Sequence, residues 1–285
     1  MKQESGPRPS PIAGIWYNGD PQRLRAQTLR YVQSAQPPAL AGEVIALVAP
    51  HAGHRYSGPT AGYAFRTVQG RHFDLVAVLS PLHNFHPGTF LTSAHTAYET
   101  PLGKVQIDRT ALSALDEALR AGQRTVLTPV ANDTEHSLEI ELPFLQSVLE
   151  GDFLLLPLMV HTASAEALEA FGLAVAHVLK GRSALLVAST DLSHFYPRKE
   201  AETLDSEMLR QIEAFSPTGV LAAEAQGTGF ACGAGAVAAT LWAARALGAD
   251  RVQILHHSTS GDITGDTNSV VGYGSAAVLK THDPS

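Results

Sequence analysis

The sequence predicts an α/β protein built on a mostly parallel central sheet with helices on both faces. Three observations point there. Short apolar runs without polar alternation recur along the chain, the pattern of strands buried on both faces. Amphipathic or Ala-rich helical stretches separate those runs. No Pro/Ser-rich linker and no internal repeat divides the 285 residues.

Taken in order, residues 1–10 read as a flexible N-terminal arm and residues 11–282 as one α/β domain. Asp20-Pro21 opens the first helix, since Asp caps an N-terminus and Pro suits the first helical position. Leu24, Thr28, Leu29 and Val32 give it an apolar stripe, and Pro37-Pro38 ends it. Residues 44–49 form a strand, residues 60–68 a helix and residues 75–79 a second buried strand. Helices are expected over 109–121 and 136–149, a strand over 153–160, a helix over 163–179 and a strand over 183–188. Helices follow over 199–215 and 217–225, then a buried Ala-rich helix over 233–247, and strands over 252–256 and 270–279 close the chain.

Composition narrows the function. There is one cysteine, Cys232, against 13 histidines. That excludes an intramolecular disulfide, a four-cysteine or two-cysteine zinc site and a cysteine-ligated iron–sulfur cluster, so any metal chemistry must be led by imidazole. A net charge of −7 leaves no footprint for nucleic acid or an anionic membrane. The longest apolar run, residues 153–160, falls far short of the ~20 residues that span a bilayer. The opening residues, MKQESGPRPSP, hold no apolar signal segment, so a cytoplasmic protein is expected.

Open α/β sheets bind ligands at the carboxyl ends of their strands. Here the first strand runs into Ala49-Pro50-His51-Ala52-Gly53-His54 and the second into Ser80-Pro81-Leu82-His83-Asn84-Phe85-His86. The strand over 183–188 runs into Ser189-Thr190-Asp191-Leu192-Ser193-His194. Each residue alone has an ordinary reading, as a hydrogen-bonded loop histidine or a helix cap. Together, His51 and His83 resemble two imidazole ligands on neighbouring strand ends. Asp191 is placed to orient an imidazole through its second N–H, and His194 to act as acid or base. Cys232 precedes Gly233 at a helix start, where the dipole favours thiolate. His136 and Glu139, three apart, would share one helical face. The turn-rich segment 258–266 is either a surface loop or a lid over the strand ends.

In this order the segments resemble the Memo family, specifically the bacterial and archaeal branch called AmmeMemoRadiSam system protein B. The resemblance rests on Ala13-Gly14-Ile15-Trp16-Tyr17 with Asp20-Pro21, Pro50-His51-Ala52-Gly53, Tyr56-Ser57-Gly58 and Ser80-Pro81-Leu82-His83. It continues through Glu135-His136-Ser137-Leu138-Glu139 with Leu142-Pro143-Phe144, then Ser189 to His194, and Ala231-Cys232-Gly233. It ends with Thr259 to Asp266 and Val271-Gly272-Tyr273. It implies the fold of the catalytic subunit of class III extradiol dioxygenases (LigB-like), which are non-haem iron(II) enzymes. It also implies a metal held by His51, His83 and Cys232, with His136, Asp191 and His194 lining the same pocket. Relatives often carry a second histidine where this chain has Asn84; His86 lies nearby.

The expectation is therefore a metal-dependent oxidoreductase with iron(II), or else copper or zinc, acting on an unknown small molecule. His136, Asp191 and His194 would be its catalytic residues. Two alternatives stand beside it. One is a zinc or metal-free hydrolase with Cys232 as nucleophile and His194 as base. The other is a non-catalytic module that binds a peptide or partner in the same pocket. The family name further implies AMMECR-type and radical-SAM partner proteins.

Overall fold

In the computed structural model, which describes residue 4, residues 6–123 and residues 125–281, four parallel strands form the centre of the molecule. They are flanked by elements that the chain lays down in the order α1 (Pro21–Ser34), β1 (Glu43–Ala49), α2 (His54–Arg66), β2 (Leu75–Pro81), β3 (Phe90–Ser93), β4 (Ala97–Thr100), β5 (Gly103–Gln106), α3 (Arg109–Gln123) and β6 (Leu127–Val130). A 3-10 turn (Glu139–Glu141), α4 (Leu142–Val148), β7 (Leu154–Val160), α5 (Ala165–Leu179), β8 (Ala184–Ser189) and β9 (His194–Tyr196) follow. The chain then forms α6 (Arg198–Glu213), α7 (Pro217–Ala225), α8 (Ala234–Ala246), β10 (Arg251–Thr259), a single turn α9 (Gly261–Thr264) and β11 (Val270–Lys280).

The main sheet has the order β10-β11-β1-β8-β2-β7-β3-β6, with β9 beside β11. Within it β1, β8, β2 and β7 run parallel, as do β3 and β6. The β10–β11, β11–β1 and β7–β3 pairs are antiparallel. The parallel centre matches the uninterrupted apolar runs. All seven residues of β2 are buried. Because side chains alternate between faces, that requires cover on both sides. Helix α8 packs across β1, β2, β7 and β8, with α5 and α7 beside it, while α2 packs on β1, β10 and β11, with α1 and α4 beside it. Among the described residues no helix is long and apolar enough to cross a membrane.

Two expectations change. The helix foreseen over 136–149 is only α4, preceded by the 3-10 turn. Pro143 explains this: it has no N–H to donate, and its ring would strike the carbonyl of residue 139 in a continuous helix, so it sits instead in the first turn of α4. Strands β3 to β6 and β9 were not foreseen, since three or four residues are too few to show a period.

The second change is at the N-terminus. Residues 1–3, 5 and 282 lie outside the described residues, but residues 8–10 do not behave as a flexible arm. Arg8 is only 1% exposed. Its guanidinium bonds Asp133 Oδ1 at 2.7 Å, Glu139 Oε2 at 2.5 Å and the Glu135 carbonyl at 2.6 Å. Ser10 and Tyr17 donate to the other Glu139 oxygen. The opening segment thus pins the loop that carries Glu135 and His136. Arg8→Ala leaves two buried carboxylates without their cation, so it should cost about 3–5 kcal/mol in denaturant unfolding. A loss below about 1 kcal/mol, as for an exposed pair, would contradict this account.

Candidate metal centre

Parallel register brings three strand ends to one level. Ala49 on β1 pairs with Ser189 on β8, and Leu79 on β2 with Ala188 on β8. His51, Asp191 and His83 therefore leave the sheet side by side. The loop before α4 adds His136 over the same spot. One ligand nitrogen each from His51, His83 and His136 fall within 4.8 Å of one another. The His83 and His136 rings stack at 4.8 Å and 13°, and the His51 ring meets both edge-on, at 89° and 87°.

Cys232 closes one side. Gly233 caps α8, and a Cβ there would lie 2.5 Å from the Ser189 carbonyl, so glycine is what lets the helix start press against the end of β8. The Cys232 sulfur lies 3.1 Å from His51 Nε2 and accepts the Asp191 N–H at 3.3 Å. The thiolate expected from the helix dipole is not favoured here. Burial pushes the thiol up, with the nearby Asp191 charge adding to it.

Glu135 lies behind both His83 and His136, whose Nδ1 is 3.3 Å from its Oε1, while Ser189 lies behind His51. Glu135, 2% exposed, accepts from His83 N at 2.6 Å and His83 Nδ1 at 2.9 Å, and also from the backbone N–H groups of His136 and Ser137. Burial works against its charge, but these donors hold the carboxylate well below its usual range. Burial also works against charging His83, yet Glu135 raises it. Nδ1 of His83 carries the proton toward Glu135, which leaves Nε2 as its ligand atom. His51, 1% exposed, has Nδ1 3.0 Å from the Ser189 hydroxyl. Burial, then the neighbouring His136 and His83, lowers it well below the ordinary imidazole value. His136 is lowered to about 4, mainly by burial. Both rings are free bases at neutral pH.

Asp191 has a different task from the one expected. Its Oδ1 accepts from the backbone N–H groups of His51, at 2.7 Å, and Ala52, at 3.2 Å, rather than from an imidazole. Burial pushes it up to about 7. His194 donates Nδ1–H to the Leu192 carbonyl at 2.8 Å, leaving Nε2 free to accept, and burial lowers it. Glu139 does not share a face with His136; it turns away to Arg8, Ser10 and Tyr17. Asn84 is exposed and reaches Thr134, while His86 accepts from the Gly88 N–H. Segment 258–266 is the end of β10 plus α9, tied down by Asp262 to Thr259 and Arg198.

Sequence reasoning singled out neither Glu135 nor Ser189 as a site residue. Glu135 carried a usable signal, an acid directly before a candidate histidine. Trp16 was read only as part of a motif; its ring lies 4.0 Å from that of His136. Next to it, Ile15, Trp16, Ala52, Tyr56, Val271 and Tyr273 line part of a cleft of about 520 Å³.

The donor set is three imidazoles, two of them free bases, with a thiol against one. It suits a late first-row divalent ion or copper, and it lacks the oxygen cage that magnesium or calcium needs.

Comparison with known proteins identifies the family of the chain. The family model for Memo-like proteins matches residues 8–277. A MEMO1 family protein of Methanothermobacter thermautotrophicus is 34% identical over 272 residues, covering 92% of this chain and 96% of its own. Similar proteins of Nitrosopumilus maritimus and Methanopyrus kandleri are each 32% identical, over 92% of this chain and 96% and 95% of theirs. The chain belongs to the Memo family.

Proposed function

We propose that this protein is a metal-dependent oxidoreductase in which His51, His83 and Cys232 hold iron(II), with His136 beside them. The observation that carries the reading is the group of three imidazole nitrogens within 4.8 Å, with the Cys232 sulfur 3.1 Å from one of the rings. Two imidazoles and one anion with open positions are the donor pattern of oxygen-activating non-haem iron, the anion there being usually a carboxylate; here it would be the Cys232 thiol, protonated in the metal-free protein and deprotonated on binding the metal. Iron held here would supply one-electron chemistry with O2 and Lewis-acid activation of a bound substrate. Copper and zinc are the competitors for the same donors.

The chain's own residues divide the remaining work. His136, a free base at neutral pH, stacked on His83 and in tilted contact with Trp16, accepts a proton from a substrate lying in the adjoining cleft. His194 Nε2, with Nδ1–H committed to Leu192, is a second acceptor. Asp191 fixes the His51 backbone. The largely apolar walls of the cleft favour a small apolar or aromatic substrate.

The hydrolase alternative gains little support. The imidazole against Cys232 is His51 rather than His194, and burial raises the thiol, whereas a nucleophilic cysteine needs it lowered.

Purified without oxygen, the protein should carry about one iron per chain. His51→Ala and His83→Ala should each lose it while keeping the wild-type circular dichroism spectrum. Unchanged metal content in both variants, or activity that survives a chelator but is lost in Cys232→Ala, would contradict the reading. Glu135→Gln should lower iron affinity about 10–100-fold, because the amide cannot serve every donor that the carboxylate serves. Wild-type affinity in that variant would show that Glu135 does not set the His83 ring.

A further inference from the structure

Behind His51, on the side of the ring away from Cys232, sit two buried residues with no role so far. Ser189 Oγ has three close partners: His51 Nδ1 at 3.0 Å, the Ser137 carbonyl at 2.6 Å and Glu141 Oε1 at 2.8 Å. A hydroxyl has one proton to donate and two lone pairs with which to accept. The Ser137 carbonyl can only accept and is the nearest of the three, so the Ser189 proton goes to it. The other two partners must then bring protons of their own.

For His51 this means Nδ1–H. For Glu141 it means a proton on Oε1, that is, a carboxylic acid. The reverse assignment gives the Ser189 proton to a Glu141 carboxylate. It leaves two oxygens 2.6 Å apart with no proton between them. It also leaves a full charge on a side chain that is 0% exposed and whose Oε2 has no hydrogen-bond partner among the described residues. An ionised carboxylate buried without a cation is strongly disfavoured. Burial and the nearby Asp191 push Glu141 well above the carboxylate range, in agreement with the hydrogen-bond count.

We propose that Glu141 is held as a neutral carboxylic acid and, with Ser189, forms a positioning pair that fixes His51 as its Nδ1–H tautomer, leaving the Nε2 lone pair facing Cys232 and the imidazole cluster. An uncharged Glu141 leaves the Ser189 O–H donating to the Ser137 carbonyl and contributes no second negative charge beside the site. The consequence for metal binding rests on the reading of His51 as a ligand. The tautomer and the acid do not, since both belong to the metal-free protein.

The test therefore uses metal-free, full-length protein at neutral pH. Long-range proton–nitrogen NMR should find His51 protonated at Nδ1. Infrared spectra should show a protonated carboxylic-acid carbonyl band that disappears in Glu141→Gln. That variant should keep the His51 tautomer, because its amide N–H donates to Ser189 as the acid does. Ser189→Ala should shift His51 toward the Nε2–H form and lower iron affinity about 10–100-fold. A wild-type His51 protonated at Nε2, or infrared spectra identical in wild type and Glu141→Gln, would overturn the proposal even if iron binds. The expected tautomer and band in a protein that binds no iron would leave the proposal standing and remove only the functional reading.

Discussion

The site depends on one geometric constraint, the parallel register of β1, β8 and β2. Because Ala49 pairs with Ser189 and Leu79 with Ala188, the three chains leave the sheet at one height. His51 and Asp191 then follow their strands by the same two residues, and His83 stands next to them. The Asp191 carboxylate bridges two of these ends by accepting the His51 and Ala52 N–H groups. A slip of one residue in any of the three strands would turn every side chain to the opposite face and separate the imidazoles. Gly233 then brings Cys232 against the end of β8.

Around this frame the imidazoles are oriented by what lies behind them. Glu135 accepts from the Nδ1–H of His83, and Ser189 faces Nδ1 of His51. Both arrangements turn a lone pair toward a common point, and burial keeps His51 and His136 from taking up protons that a cation would have to displace. Glu135 is itself fixed by a layer further out. Arg8 bonds the Glu135 carbonyl as well as Asp133 and Glu139, so the chain's opening segment bears on the position of a residue one removed from the cluster.

What the sequence made legible follows from local physics. Apolar runs stopped by Ala-Pro-His-Ala-Gly or Ser-Pro-Leu-His mark strand ends in any order of strands, and so His51, His83 and Asp191 could be placed together. Glu135, Ser189 and Glu141 could not be ranked this way, since their roles exist only through contacts with residues 48 to 138 positions distant. Arg8 was misjudged because the opening residues, MKQESGPRPS, have no apolar run and so resemble a solvated arm, and one fully buried guanidinium reverses that. The helix over 136–149 failed for a reason that was visible, Pro143. The Cys232 thiolate failed because a helix start favours charge by less than burial opposes it at this position.

The central claim is that imidazole nitrogens from two strand ends and the Cys232 sulfur from the start of α8 share one metal. X-ray absorption at the iron edge, on protein loaded without oxygen, reads this directly. The account predicts imidazole nitrogen and sulfur scatterers in a single first shell, with the sulfur contribution lost in Cys232→Ser. A shell of oxygen atoms alone, or a sulfur signal that persists in that variant, would contradict it.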